Sequence, residues 1–539
     1  MVARLWRVAH WLSIVAVALI GVALLPRLQD YVTYSWNALF FPWQLDYHEG
    51  ANINASWLLA QNVNIYRPNT PDRFISASHP PLYFAVNAVA MKAWGLNLVS
   101  GRLLTLVGAL GVGVLIWAWT YIETKRHTGG VLAALTWFSL GPVYVWSTLY
   151  EPDMLALALG LAGGALVALW HKRQGSVVGT HETPSPATVG HLPLLRSLLN
   201  PLYWAIVPLS LSFWTKQSSI VLPAAIALFL LLHDPRLGLR WTLLVVGSIV
   251  VPFLAFDLYT GGGFSEHLLA FRNYEYSLPY FNGNVITLWR YHAPLILCGL
   301  GAAALAIWVS IRHRRTPLLS ALYLLLSIPA ALISFALPAA SYNVIADAAP
   351  DRYDQFLSIL APLCLVFGVA LSTALRGMAE SGRGARLDWS CLTAGLLLLA
   401  FAQVGMTYRQ PPAFWHPSLS TPLSERAQQM EDISRLIGGA SGDILSEDNW
   451  LLLKNNKVVI YDDPAAMAVL SRAGAWDQSA LLRDLSRRRF SYVVTRFALE
   501  DAEIAGRWSE QALMALQANY KMLQGTSGAL VVSASRPGP

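Results

Sequence analysis

Charge is scarce in this chain. Asp, Glu, Lys and Arg make up 13% of 539 residues, about half the share of an ordinary soluble domain. Cysteine is scarcer still. Cys298, Cys364 and Cys391 fall within or beside apolar segments, without the spacing of a disulfide framework or a metal site. No glycine-rich nucleotide motif is present, which leaves a nucleotide-sugar donor without support, and no internal repeat is visible. The first apolar run has no clear small-residue cleavage site, and Pro26 and Arg27 follow it directly; it reads as a retained anchor.

What is abundant is apolar surface: 55% hydrophobic residues, 11% aromatic, and 21 tryptophans. The composition predicts an integral, multi-pass membrane protein of the plasma (cytoplasmic) membrane, with aromatics at both headgroup levels. The net charge of +7 is then explained by basic cytoplasmic loops and does not imply nucleic acid.

Runs long enough to span occur near Val8–Leu25, Leu103–Ile122, Val131–Leu149, Met154–Trp170, Trp241–Phe256, Ala293–Ile311, Leu318–Ile345, Phe356–Leu375 and Trp389–Tyr408. Pro81–Trp94 is too short to cross and carries Lys92, which suits an interfacial or re-entrant helix. Pro201–Leu232 is too long for one helix and reads as a hairpin of two short spans with Lys216 at its tip. This gives about eleven spans. With the amino terminus cytoplasmic, Lys and Arg are roughly threefold denser in the inner segments than in the outer loops.

Three features then share the outer face: a long first loop over 26–102 with interfacial helices, the acids Glu151 and Asp153, and the loop Asp257–His292. Asp347, Asp351, Arg352 and Asp354 join them. The inner loop His171–Asn200 reads as a flexible connector. Residues 1–408 form the membrane module, 409–424 a proline-marked linker, and 425–539 an extracytoplasmic α/β domain. Its expected strands are Asp443–Ser446, Val458–Tyr461, Tyr492–Thr495, Tyr520–Leu523 and Ala529–Ser533, with helices near Glu425–Ile437, Pro464–Ser471 and Gln478–Arg487.

Within the first loop, WQLDYHEG sets Asp46 and Glu49 three residues apart, on one face of a helical start. Ionisable groups at a bilayer boundary face a water-filled cavity or a partner, so this pair is the default functional site. The solvated-loop alternative leaves them without a role.

The stretches LDYHEGANINASWLLAQNVNIY, SHPPLYFAVNAVAMKAWG, GRLLTLVGALGVGVLIWAW and STLYEPDMLALALGLAGGAL, in this order, resemble the GT-C superfamily of membrane glycosyltransferases. The resemblance is to the branch of dolichyl-phosphate-mannose protein mannosyltransferases and aminoarabinose transferases. It covers residues 1–260 and is weaker further on; WTKQSS, at 214–219, looks similar to a basic hairpin tip, and DRYDQFLSILAPL to a late Arg-Tyr helix start. It implies transfer of a sugar from a polyprenyl-phosphate carrier to a glycan, lipid or protein acceptor on the outer face, generally with inversion.

An acceptor hydroxyl needs a carboxylate to take its proton, supplied by Asp46 or Glu49. Asp46 carries over from the family's first acidic motif, although Tyr47 and His48 here separate two acids that are commonly adjacent. Asp153 matches the second acidic position, as a group for the acceptor or a metal. The leaving lipid phosphate calls for cationic donors: Lys216 and Arg352 first, then Arg102 and His79, with Tyr353 beside Arg352. Their structural alternatives are a snorkelling Lys216, a surface-paired Arg352 and a His79 that only ends an extended segment. Glu151 and His48 are candidates for the acceptor or a metal, and a divalent metal is the one cofactor these ligand types suggest. The rival readings are a secondary transporter, which calls for two related halves, and a non-catalytic assembly factor for cell-envelope glycans.

Overall fold

The computed structural model describes residues 2–177, 200–269, 276–336, 354–381, 383–409, 422–499, 507–525 and 531–535. Among the described residues seven helices are long and apolar enough to cross a membrane, which defines a multi-pass bundle. The other expected spans are shorter helices. Val131–Leu149 divides into α5 (Thr128–Ser139) and α6 (Gly141–Trp146), because Pro142 opens a new first turn instead of continuing the old one. The expected hairpin is present as Ile206–Thr215 and Val221–His233, with Lys216 as the residue that ends the first helix. Of Leu318–Ile345, the helix covers Leu319–Phe335, and residues 337–345 lie outside the described residues.

In chain order the first elements are α1 (Val2–Leu39), α2 (Tyr47–Ala60), α3 (Pro81–Trp94) and α4 (Val99–Thr124), with α7 (Asp153–Val177) following α6. The helix Asp354–Glu380 lies at the centre of the bundle: 83% of its apolar window is buried, against 11% for α1 at the periphery. Helices α4 and α7 pack almost backbone to backbone. A Cβ on Gly108 would lie 2.6 Å from the Leu155 nitrogen, so glycine is what permits the approach. That contact sets the end of α4 beside the turn Ser147–Pro152, which carries Glu151.

The C-terminal sheet has strand order β1-β2-β4-β3, with β1 (Asp443–Ser446) parallel to β2 (Phe490–Thr495). The strands β3 (Tyr520–Gly525) and β4 (Val531–Ser535) complete it in antiparallel fashion. Val458–Tyr461, expected as a strand, lies outside this sheet. Its hydrogen bonds go to the loop between α2 and α3: Phe74 N donates to Ile460 O (3.0 Å) and Asp462 N to Phe74 O (3.3 Å). The Phe74 ring is buried among Leu445, Tyr461, Trp476 and Phe490. The indole of Trp476 in turn donates to Thr70 O (3.0 Å). A side chain from the loop between α2 and α3 therefore completes the core of the C-terminal sheet.

Candidate active site

Asp46 ends an extended segment and caps α2, its Oδ1 accepting from His48 N at 3.0 Å. Glu49 closes the capping box by reaching back to the Leu45 N (2.6 Å) and Asp46 N (3.3 Å). The spacing seen in the sequence is thus a helix start, but the two acids have different surroundings. Both Glu49 and Arg102 are 0% exposed and form a bidentate pair at 2.8 and 2.9 Å. The Tyr150 N adds a further donor to Glu49 at 2.8 Å.

Arg102, expected at the donor phosphate, is committed elsewhere. Besides Glu49, its guanidinium donates to Ala38 O (2.9 Å), Phe41 O (2.6 Å) and Trp43 O (2.7 Å). These bonds use all five N–H groups, so none is left for a phosphate. Arg102 anchors the chain between α1 and α2 instead.

Asp46 faces a second group. His48 Nδ1 lies 3.4 Å from Asp46 Oδ1, and ligand atoms of Asp46, His48 and Glu151 lie within 4.8 Å of one another. Glu151 comes from the turn before α7, where its carbonyl is held by the Thr105 hydroxyl (2.8 Å). Across from it, His79 Nε2 stands 4.0 Å from Glu151 Oε2. The helical hairpin approaches from the other side. The Lys216 ammonium pairs with Asp153 and lies 3.6 Å from Asp354, while Gln217 donates to Ser78 O (2.8 Å), next to His79. Five separated stretches of sequence therefore meet in one acidic site with a lysine at its edge. Arg352 and Tyr353 lie outside the described residues.

Asp354 and Tyr47 were not singled out from the sequence as site residues. Asp354 begins the central helix and shares Lys216 with Asp153; the apolar run after it marked the helix but not its partner. Tyr47 is held from the C-terminal domain, where its hydroxyl donates to Asp463 Oδ1 at 2.8 Å. Burial, and next the Asp463 charge, hold the Tyr47 phenol well above its ordinary range, so it stays a donor. In the same region burial pushes Asp448 up to about 6, against the pull of the Leu451 N–H.

The donor set of Asp46, His48 and Glu151 fits a divalent ion: two carboxylates and an imidazole suit zinc or manganese. Burial of Asp46 and Glu151 side by side is what a cation would balance.

Among solved structures, the fold is similar to that of ArnT from Cupriavidus metallidurans, in the apo state and bound to undecaprenyl phosphate. Each comparison has a TM-score of 0.52 at 14% identity, over 95% of this chain and 99% of that one. It is also similar to the Archaeoglobus fulgidus oligosaccharyltransferase in complex with Zn and sulfate, with a TM-score of 0.53 at 12% identity, over 96% of this chain and 73% of that one. No family model and no curated protein sequence matches the chain.

Proposed function

We propose that this chain is a membrane glycosyltransferase that moves a hexose or pentose from a polyprenyl-phosphate carrier to an acceptor on the outer face, with inversion. The observation that carries this reading is the meeting of Asp46, His48 and Glu151 beside the Lys216 hairpin tip. The likeness to ArnT, solved with undecaprenyl phosphate, supports the carrier class. In the proposed step an acceptor oxygen attacks the anomeric carbon, and its proton passes to Asp46. The bond from that carbon to the phosphate oxygen breaks, and the electron pair leaves with the lipid phosphate.

Glu49 is not the base in this scheme, because both its oxygens are occupied by Arg102 and backbone donors. Lys216 meets the charge developing on the phosphate, held in place meanwhile by Asp153 and Asp354. His79 lines the same edge. A divalent ion held by Asp46, His48 and Glu151 supplies Lewis-acid charge to the site when bound. The arrangement calls for residues 1–408 as catalytic module and 425–539 as a cover on the outer side, joined by 409–424. The density of basic residues in the inner loops supports a cytoplasmic amino terminus.

The test is turnover of a panel of synthetic polyprenyl-phosphate sugars by the purified protein in liposomes. Free polyprenyl phosphate is expected from at least one donor, and about 10²–10⁴-fold less of it from the Asp46→Asn protein. Absence of release across the panel would refute the carrier class.

A further inference from the structure

The C-terminal domain grips the outer loop at the first turn of α2. The Tyr47 hydroxyl donates to Asp463 (2.8 Å) and Asn54 Nδ2 to Asp462 (3.0 Å). The indole of Trp450 donates to Pro42 O (2.8 Å) and the Arg426 guanidinium to Gln44 O (3.1 Å). Residues 42–54 are thereby tied to three separate stretches of the domain. The approach is close: a Cβ on Gly50 would stand 2.5 Å from Gln44 Oε1 and 3.1 Å from the Asn449 N. Over the Tyr47 ring, 4.3 Å from its centroid, lies the Arg507 guanidinium, itself paired to Glu447 at 3.0 Å.

Tyr47 is the residue between Asp46 and His48. Whatever fixes its side chain fixes the backbone that aims both neighbours. The hold is a buried phenol on a buried carboxylate, the charge-assisted kind of hydrogen bond. Asp463 is rigid in turn, because the same Oδ1 caps the helix Pro464–Arg472 through Ala466 N (3.1 Å). We infer that the C-terminal domain is a working part of the transfer site: Asp463, acting through the Tyr47 hydroxyl, is a positioning residue for Asp46 and His48. This rests on the transferase reading above and adds to it. A domain that only gathers acceptor has no need to hold the base.

Tyr47→Phe keeps the ring beneath Arg507 and removes the hydroxyl, which is the donor to Asp463 and the acceptor of the Ala465 N–H (3.4 Å), both in the same stretch of the domain. Asp463→Ser keeps a cap for Ala466 but is too short to reach Tyr47. Each is expected to lower kcat about ten-fold or more, with donor KM little changed, since misplacement of a reacting group acts on the chemical step. The double variant should be no worse than either single one. Asp463→Asn, which keeps an acceptor for both contacts, should restore most of the rate. Hydrogen exchange gives a readout independent of turnover: amides of residues 45–50 should exchange faster in the Tyr47→Phe protein, while those of β2 keep their protection. Unchanged exchange at 45–50, or an unchanged kcat, would overturn the inference. A rise in acceptor KM alone would also overturn it, making the domain an acceptor dock. If the native protein turns over no donor, the transferase reading fails by itself. The exchange experiment then still decides whether Asp463 holds the first turn of α2.

Discussion

Asp46 and Glu49 stand one helical turn apart, yet changing each to its amide should have opposite consequences. Every group around Glu49 is a donor: the Arg102 guanidinium and the N–H groups of Leu45, Asp46 and Tyr150. Glu49→Gln turns an NH2 against some of them and leaves a guanidinium charge uncompensated where nothing is exposed. Breaking such a buried pair from one side costs about 3–5 kcal/mol. With an unfolding entropy of about 2.1 cal/mol/K per residue, a chain of this length loses roughly 3–4 °C of midpoint. Unfolding in detergent that leaves helices intact releases less entropy, and the shift grows accordingly.

Asp46→Asn is different. Asn caps helices as well as Asp, so the midpoint should hold within about 1 °C, while loss of a general base lowers turnover by about 10²–10⁴-fold. The assay pairs thermal denaturation followed by size-exclusion with release of polyprenyl phosphate. A Glu49→Gln protein of native stability and no turnover would refute the division of labour, and would make Glu49 the base.

Removal of the ammonium in Lys216→Met leaves Asp153 and Asp354 facing each other, so turnover should fall by at least about 10²-fold, with Lys216→Arg retaining more than Met. His267, in the helix Gly263–Leu269, accepts from Ala77 N (3.3 Å) at Nδ1 and donates from Nε2 to Arg67 O (2.9 Å), a bridge that requires the neutral ring. Burial lowers its pKa to about 4, below the ordinary 6.5, so the stability it contributes is complete above pH 6.5 and is lost as pH falls toward 4. The loss, about 3 kcal/mol at most, should appear as faster proteolysis of the 66–78 loop at pH 5 than at pH 7.5, and be absent in His267→Gln. Phe74→Ala empties a buried site shared by the loop and the C-terminal sheet; a cost of about 3–5 kcal/mol should read out as proteolytic release of that sheet from the membrane module.

Much of the site could be read from residue chemistry alone. Asp46, Glu49, Glu151, Asp153, His48 and His79 stand out because charge is rare in an apolar chain, and Lys216 because it interrupts a run too long for one helix. The sequence could not separate the two acids of the capping box. Their spacing is that of one helical turn, but the partner that removes Glu49 from solvent, Arg102, comes from another helix 53 residues on. Arg102 looked like a phosphate ligand for the same reason: a lone cation near acids reads as available until its acceptors are counted, and three of them are backbone carbonyls. Val458–Tyr461 has strand chemistry but pairs outside the sheet, through a single parallel bridge between Tyr461 and Phe74.

By itself the sequence determined the membrane class, the hairpin with its lysine tip, the helix start at Asp46 and the α/β character of the tail, because each depends on local hydrophobic length, periodicity or capping. Tertiary structure alone decided which acid is buried in an ion pair, which carboxylates meet His48 and Lys216, and that the C-terminal domain holds Tyr47. These depend on contacts between distant segments, 416 residues apart for Tyr47 and Asp463, and no local propensity encodes them.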